Sequence, residues 1–193
     1  MDFNLWFTTG VQHIADLEGY DHMLFLLSLC GIYSIKEWKK VLILVTAFTV
    51  GHSITLALSV TDIFTVKSGI IELLIPVTIM LSAISNILYS IKNKEFSPQL
   101  NYFMALFFGL IHGLGFSYLL KSLLGNSESI LPPLFAFNIG LEAGQLIIVV
   151  IILFISLFLT EIIKLKNKTK NISISALAFV MGTMMLIERI QSL

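Results

Sequence analysis

The groups in this chain with chemistry beyond packing are few: four histidines and twelve acids among 193 residues. Two of the histidines share the run HIADLEGYDH, His13 to His22, which also holds Asp21 and stands directly before the apolar MLFLLSLCGIY. His52 lies in FTVGHSITL, Glu72 in SGIIELL, His112 in GLIHGLGF and Glu142 in FNIGLEAGQ. Imidazole nitrogen combined with carboxylate oxygen suits Ni(II), Co(II) or Zn(II). The single cysteine, Cys30, rules out an intramolecular disulfide and any cysteine-rich metal site, which argues against iron–sulfur or soft Cu(I) chemistry. One helix offers one or two ligands, so a site of about four to six donors must draw on several helices.

The neighbours of these residues suit such a convergence. Asn138, Glu142 and Gln145 fall at i, i+4 and i+7 on one helix face, so two amides stand where they could orient the carboxylate. Gly109 and Gly113 bracket His112, and Gly140 and Gly144 bracket Glu142; each GxxxG spacing permits close helix approach. Ser53 and Thr55 fit back-bonding to their own helix beside His52. Each residue also has an ordinary reading. An isolated His52 fits hydrogen-bonded packing, and Glu72 fits solvation near a surface. Glu188 and Arg189 read as a solvated pair, and Glu161 as a charge that snorkels at a helix end. Met181, Met184 and Met185 read as packing, and Asp16 and Glu18 as loop charges.

The elements that must carry these groups are membrane helices. The chain is 56% hydrophobic and 12% charged, whereas soluble domains carry roughly 25% charged residues. Its mean hydropathy is +0.92. Apolar runs near the ~20 residues of a membrane-crossing helix recur throughout, so the expected fold is an all-α polytopic membrane protein forming one transmembrane domain over 1–193. Breaks at charged and turn-forming stretches place six spans near 20–35, 41–61, 69–91, 100–121, 132–163 and 172–190. Zero net charge suggests no nucleic-acid partner, leaving the lipid bilayer and a metal ion as the expected partners. MDFNLWF has no basic n-region, so the first apolar segment is expected to be retained. Residues 3–15 are expected to form a short interfacial helix.

Lysines set the direction. Lys36, Lys39 and Lys40 follow span one, Lys92 and Lys94 span three, and Lys164, Lys166, Lys168 and Lys170 span five; only Lys67, Lys121 and Arg189 fall elsewhere. The positive-inside rule makes the lysine face cytoplasmic and puts both termini outside. Asp21, His22, His52, Glu72, His112 and Glu142 then all fall in the outer half of the bilayer, on five helices. An Asp at a helix centre costs about 2.5–3.5 kcal/mol on insertion scales, so the coincidence of depth points to one shared polar site. Span one offers only about 22 Å of helix, which places Asp21 and His22 on the floor of a vestibule. Span five is too long to run straight, so it tilts, protrudes, or breaks near FNIGLEAG.

In order along the chain, GVQHIADLEGYDHMLFLLSL, FTVGHSITLALS, SGIIELLIPVTIMLSAISN, FGLIHGLGFS and FNIGLEAGQ resemble the HupE/UreJ family of bacterial membrane proteins. Members are described as nickel or cobalt permeases linked to hydrogenase and urease maturation. The resemblance implies a metal-uptake facilitator in a bacterial cytoplasmic membrane, with Asp21, His22, His52, Glu72, His112 and Glu142 at the family's positions. One departure concerns His13. The family's first motif is histidine, five residues, then Asp-His, whereas seven residues separate His13 from Asp21 here. The two extra residues change where His13 points unless a loop absorbs them.

Two functions follow. In the first, a divalent ion sheds water at His13, Asp21 and His22 and passes to His52, His112, Glu72 and Glu142, without an organic cofactor. In the second, three histidines hold Zn(II) with an open position and a carboxylate base; that arrangement would make the protein an intramembrane hydrolase acting on a lipid or lipoprotein at the outer leaflet. The one-sided depth favours the hydrolase and the family resemblance the permease.

Overall fold

A computed structural model describes residues 2–17, 19–92, 97–124 and 129–192. Lys94 and Glu18 lie outside the described residues, as do 93–96 of the loop read at KNKEFSPQ and 125–128 of the loop read at GNSES. Seven α-helices follow one another, with no strand among the described residues: α1 (Phe3–Ile14), α2 (Asp21–Cys30), α3 (Trp38–Val60), α4 (Ser68–Ile91), α5 (Pro98–Leu124), α6 (Leu131–Leu157) and α7 (Asn167–Gln191). A 3₁₀ turn at Ile35–Glu37 leads into α3, and a π turn at Phe158–Ile162 closes α6. Five elements are long and apolar enough to cross a membrane: Ile35–Val60, Ser68–Ile91, Pro98–Leu124, Leu131–Ile162 and Asn167–Gln191. Their outward faces carry large apolar side chains such as Ile43, Ile54, Leu81, Phe103, Ile151 and Val180, as a lipid-facing surface must.

Lipid tails are as apolar as leucine, so helices associate in a membrane through packing and hydrogen bonds. Glycine supplies the packing here. A Cβ on Gly51 would sit 2.2 Å from the Leu106 carbonyl oxygen, and one on Gly109 2.2 Å from that of Phe48. The α3 and α5 backbones therefore touch and run parallel. Helix α4 runs antiparallel to α7, with Glu72 beside Arg189 at one end and the Ile91 carbonyl accepting from Lys168 at the other.

The glycines of FNIGLEAG do not break α6, which is continuous through them. They receive α1. A Cβ on Gly140 would meet the Phe7 carbonyl oxygen at 2.0 Å, and one on Gly144 would touch Val11. Phe7 pairs with Gly140 and Val11 with Gly144, so α1 descends parallel to α6. The short N-terminal helix read at residues 3–15 is present, capped by the Asp2 carboxylate, which accepts from the Asn4 and Leu5 amides. Helix α2 continues the descent. Its last turn leads to Tyr33, whose carbonyl accepts from Ser156 near the far end of α6. Twelve residues of α1 and ten of α2 make one discontinuous crossing of about 33 Å at 1.5 Å per residue, close to the ~30 Å of a hydrocarbon core.

Candidate metal centre

The break in that crossing is where the histidines meet. Helix α1 ends one residue after His13 and α2 begins one residue before His22. The His13 and His22 ring centroids are 4.5 Å apart. His52 from the middle of α3 lies 5.9 Å from His13 and 6.1 Å from His22, and His112 from the middle of α5 lies 5.3 Å from His22. All four histidines, from four helices, thus form one cluster. The break between α1 and α2 absorbs the two extra residues in the spacing before Asp-His, so His13 joins the group.

Hydrogen bonds fix which nitrogens are free. Asp21 Oδ1 lies 2.8 Å from His22 Nδ1 and also accepts from the His22 backbone N–H. His112 Nδ1 donates to the Phe108 carbonyl at 2.9 Å. Both rings are thereby held with Nε2 as the lone-pair nitrogen, the arrangement metal-ligating histidines use. Those two Nε2 atoms, His13 Nε2 and both ring nitrogens of His52 are buried without a hydrogen-bond partner among the described residues. Buried polar atoms are normally paired, so this many orphaned imidazole nitrogens in one place fits a cation. His13, His22 and His52 each offer a ligand atom within 4.8 Å of the others. Nitrogens around one tetrahedral ion lie roughly 3.3 Å apart, so the trio must tighten as it binds. Phe116 and Phe137, stacked at 5.0 Å, back the His13 ring.

The cluster floors a cavity of about 750 Å³ that reaches His13, Asp21, His22 and His112 and has Glu72 and Arg189 on its wall. The loop between α1 and α2 lines it too, through Asp16 and Gly19. Pro76, inside α4, lacks the N–H that would bond the Glu72 carbonyl. Arg189 pairs with Glu72 at 3.4 Å; the solvated Glu188–Arg189 pair read from the sequence is replaced by this contact between α7 and α4. Met185 is buried and also borders the cavity.

Glu142 stands apart from the histidines. Its carboxylate accepts from Thr46 Oγ1 at 2.8 Å, while Gln145 Oε1 accepts from Thr49 Oγ1 at 2.7 Å. Asn138 donates to Leu134 of its own helix. Neither amide's recorded bond reaches the Glu142 carboxylate. Glu142 and Gln145 thus join α6 to α3, and Thr49 stands about one turn before His52. Ser53 and Thr55 back-bond to their own helix, as their positions suggested.

Apolar helices of membrane length around a histidine cluster define a polytopic membrane protein whose centre could bind a metal ion. The chain belongs to the HupE / UreJ protein family, whose model matches residues 1–189. Neither a curated protein nor a solved structure matches it.

Proposed function

We propose that the protein is a permease for a divalent transition-metal ion, nickel or cobalt by family resemblance, in a bacterial cytoplasmic membrane with both termini outside. The observation that carries this reading is the set of orphaned imidazole nitrogens on four helices at the floor of an open cavity. The ion passes Glu72, exchanges water for His13, His22 and His52, and engages His112. Asp21 holds the His22 ring and adds negative charge. Glu142 and Gln145 position α3 and its histidine through Thr46 and Thr49. Neutral imidazoles bind the metal and protons compete for them, so acidification releases the ion. The test is flux in proteoliposomes loaded with a metal-sensitive dye, offering Ni(II), Co(II) and Zn(II) in turn. Selective uptake lost in the His52→Ala/His112→Ala double variant supports a permease and names its ion; tight binding without uptake refutes it.

One observation favours a zinc-dependent hydrolase at the same place: the cavity opens on one face, and apolar side chains close the cluster on the other. That reading requires the zinc-loaded protein to cleave a lipid or lipoprotein without moving metal.

A further inference from the structure

Three phenylalanines lie one helical turn from the histidines, all on the lysine-rich side. Helix α2 runs towards that side and carries Phe25 three residues after His22. Helices α3 and α5 run away from it and carry Phe48 and Phe108 four residues before His52 and His112. The opposed directions bring all three rings to one level. Phe25 lies 5.0 Å from Phe48 and 5.7 Å from Phe108, centroid to centroid. Phe25 and Phe48 also pack on His112, at 5.1 and 5.2 Å. All three are buried, Phe25 completely. Rings at these separations leave no space for a hydrated ion, and a hydrophobic constriction of this kind blocks ions by excluding water.

The next turn is polar. Ser28 Oγ donates to Ser82 Oγ at 3.0 Å, and Asn86 Nδ2 donates to the Ser28 carbonyl at 2.7 Å. Beyond them Asn101 donates to the Tyr33 hydroxyl, in a connection whose phenol is pushed up to about 12 by burial and so stays neutral. Ser156 and Lys170 reach the Tyr33 carbonyl. The order from the cavity is therefore histidines, phenylalanines, then hydroxyls and amides. Buried polar side chains on neighbouring helices α2 and α4, directly behind an apolar plug, supply oxygen ligands where an ion leaving the histidines would next arrive.

We infer that Phe25, Phe48 and Phe108 form the closed gate of the ion's path and that Ser28, Ser82 and Asn86 are the station behind it. This rests on the permease reading for its ion but not for its geometry, and the test separates the two. Ser28→Cys in a Cys30→Ser background places the protein's only thiol behind the plug. A cationic, membrane-impermeant methanethiosulfonate reagent is applied to each face of oriented vesicles, and Ni(II) uptake is measured on the same preparations. From the cavity face, labelling is slow in this parent and at least tenfold faster after Phe48→Ala or Phe25→Ala. Phe48→Leu, which shaves the ring while keeping its bulk, gives a smaller rise and covers the case in which the alanine variants fail to fold, judged by helical circular dichroism. Faster labelling together with faster Ni(II) uptake supports gate and permease alike. Faster labelling with no uptake in any variant keeps the gate and refutes the permease. Fast labelling of the parent, or unchanged labelling in folded variants, overturns the gate even where uptake is normal.

Discussion

Gly10→Ala is the sharpest test of how the site is assembled, because Gly10 offers no ligand atom yet seats α1 against α6 one turn before His13. A Cβ there would lie 2.1 Å from the Phe137 carbonyl oxygen and 2.8 Å from the Leu141 amide nitrogen. Both are backbone atoms of a continuous helix and cannot swing aside, so α1 must retreat by about 1 Å to reach ordinary contact. His13 is one turn further along the same rigid helix and retreats with it. Metal–ligand distances tolerate about ±0.2 Å, so His13 drops out while His22, His52 and His112 stay in place. Misplacing a ligand through its support typically lowers metal affinity by about 10- to 100-fold, or roughly 1.4 to 2.7 kcal/mol. Gly19→Ala is the matched control, since a Cβ there meets only Asp16 side-chain atoms at 3.4 Å or beyond. Calorimetric titration of the purified protein with Ni(II) gives the affinities, and the visible spectrum of the Co(II) form reports the loss of a nitrogen ligand. Equal affinities for Gly10→Ala and the parent, or an equal loss in Gly19→Ala, would refute the reasoning.

Three further outcomes follow. Asp21→Asn leaves an isosteric amide that can no longer hold His22 as the carboxylate does, so Ni(II) affinity falls by about 10- to 100-fold while the helical signal is kept; an unchanged titration would mean that Asp21 is not the orienting group. Metal binding weakens on acidification, because protons and the ion compete for the same imidazole nitrogens; calorimetric titration with Ni(II) at a series of falling pH values reads this, and an affinity that stays constant until the helical signal is lost would argue against imidazole ligands. Arg189→Ala unmasks the Glu72 carboxylate on the cavity wall and speeds association of a divalent cation, with the gain shrinking as salt is added. Stopped-flow binding at two ionic strengths reads this, and a change in stability alone, for an exposed pair worth about 0–1 kcal/mol, would argue against a role in steering.

Much of the fold was open to the sequence because hydropathy needs only local information. Five of the six spans correspond to long apolar helices, and Asp21 and His22, at the head of the short first span, line the cavity. The cause of that shortness was hidden. Residues 3–15 are too few to cross a bilayer, and only the contact of Gly10 with α6 reveals that they complete the descent of α2. That contact joins positions about 130 apart in the chain, and a single sequence carries no trace of such a pairing. The same gap explains FNIGLEAG, where glycine spacing could mean a break or a close approach. It explains Arg189 too: residues adjacent on a helix point different ways, so Glu188 was never a natural partner. The phenylalanine layer was in plain view at His22+3, His52−4 and His112−4, but those spacings mean one level only once the helix directions are known.

The discontinuous crossing also accounts for the placement of Asp21. Non-helical backbone at membrane depth survives only where it is buried in protein or faces water, so the described connecting residues, Ala15, Asp16, Leu17 and Gly19, and the cavity they line require each other. The break exposes two helix ends to the site. The carbonyl end of α1 carries partial negative charge and favours a cation, whereas the amino end of α2 carries partial positive charge and repels one. Asp21 is the first residue of α2, and its carboxylate covers that amino end by accepting the His22 amide at 2.7 Å. The same oxygen lies against His22 Nδ1. One carboxylate therefore cancels the unfavourable pole, fixes the tautomer of the adjoining imidazole and would supply charge opposite a bound ion, and an apolar or basic residue there would undo all three at once.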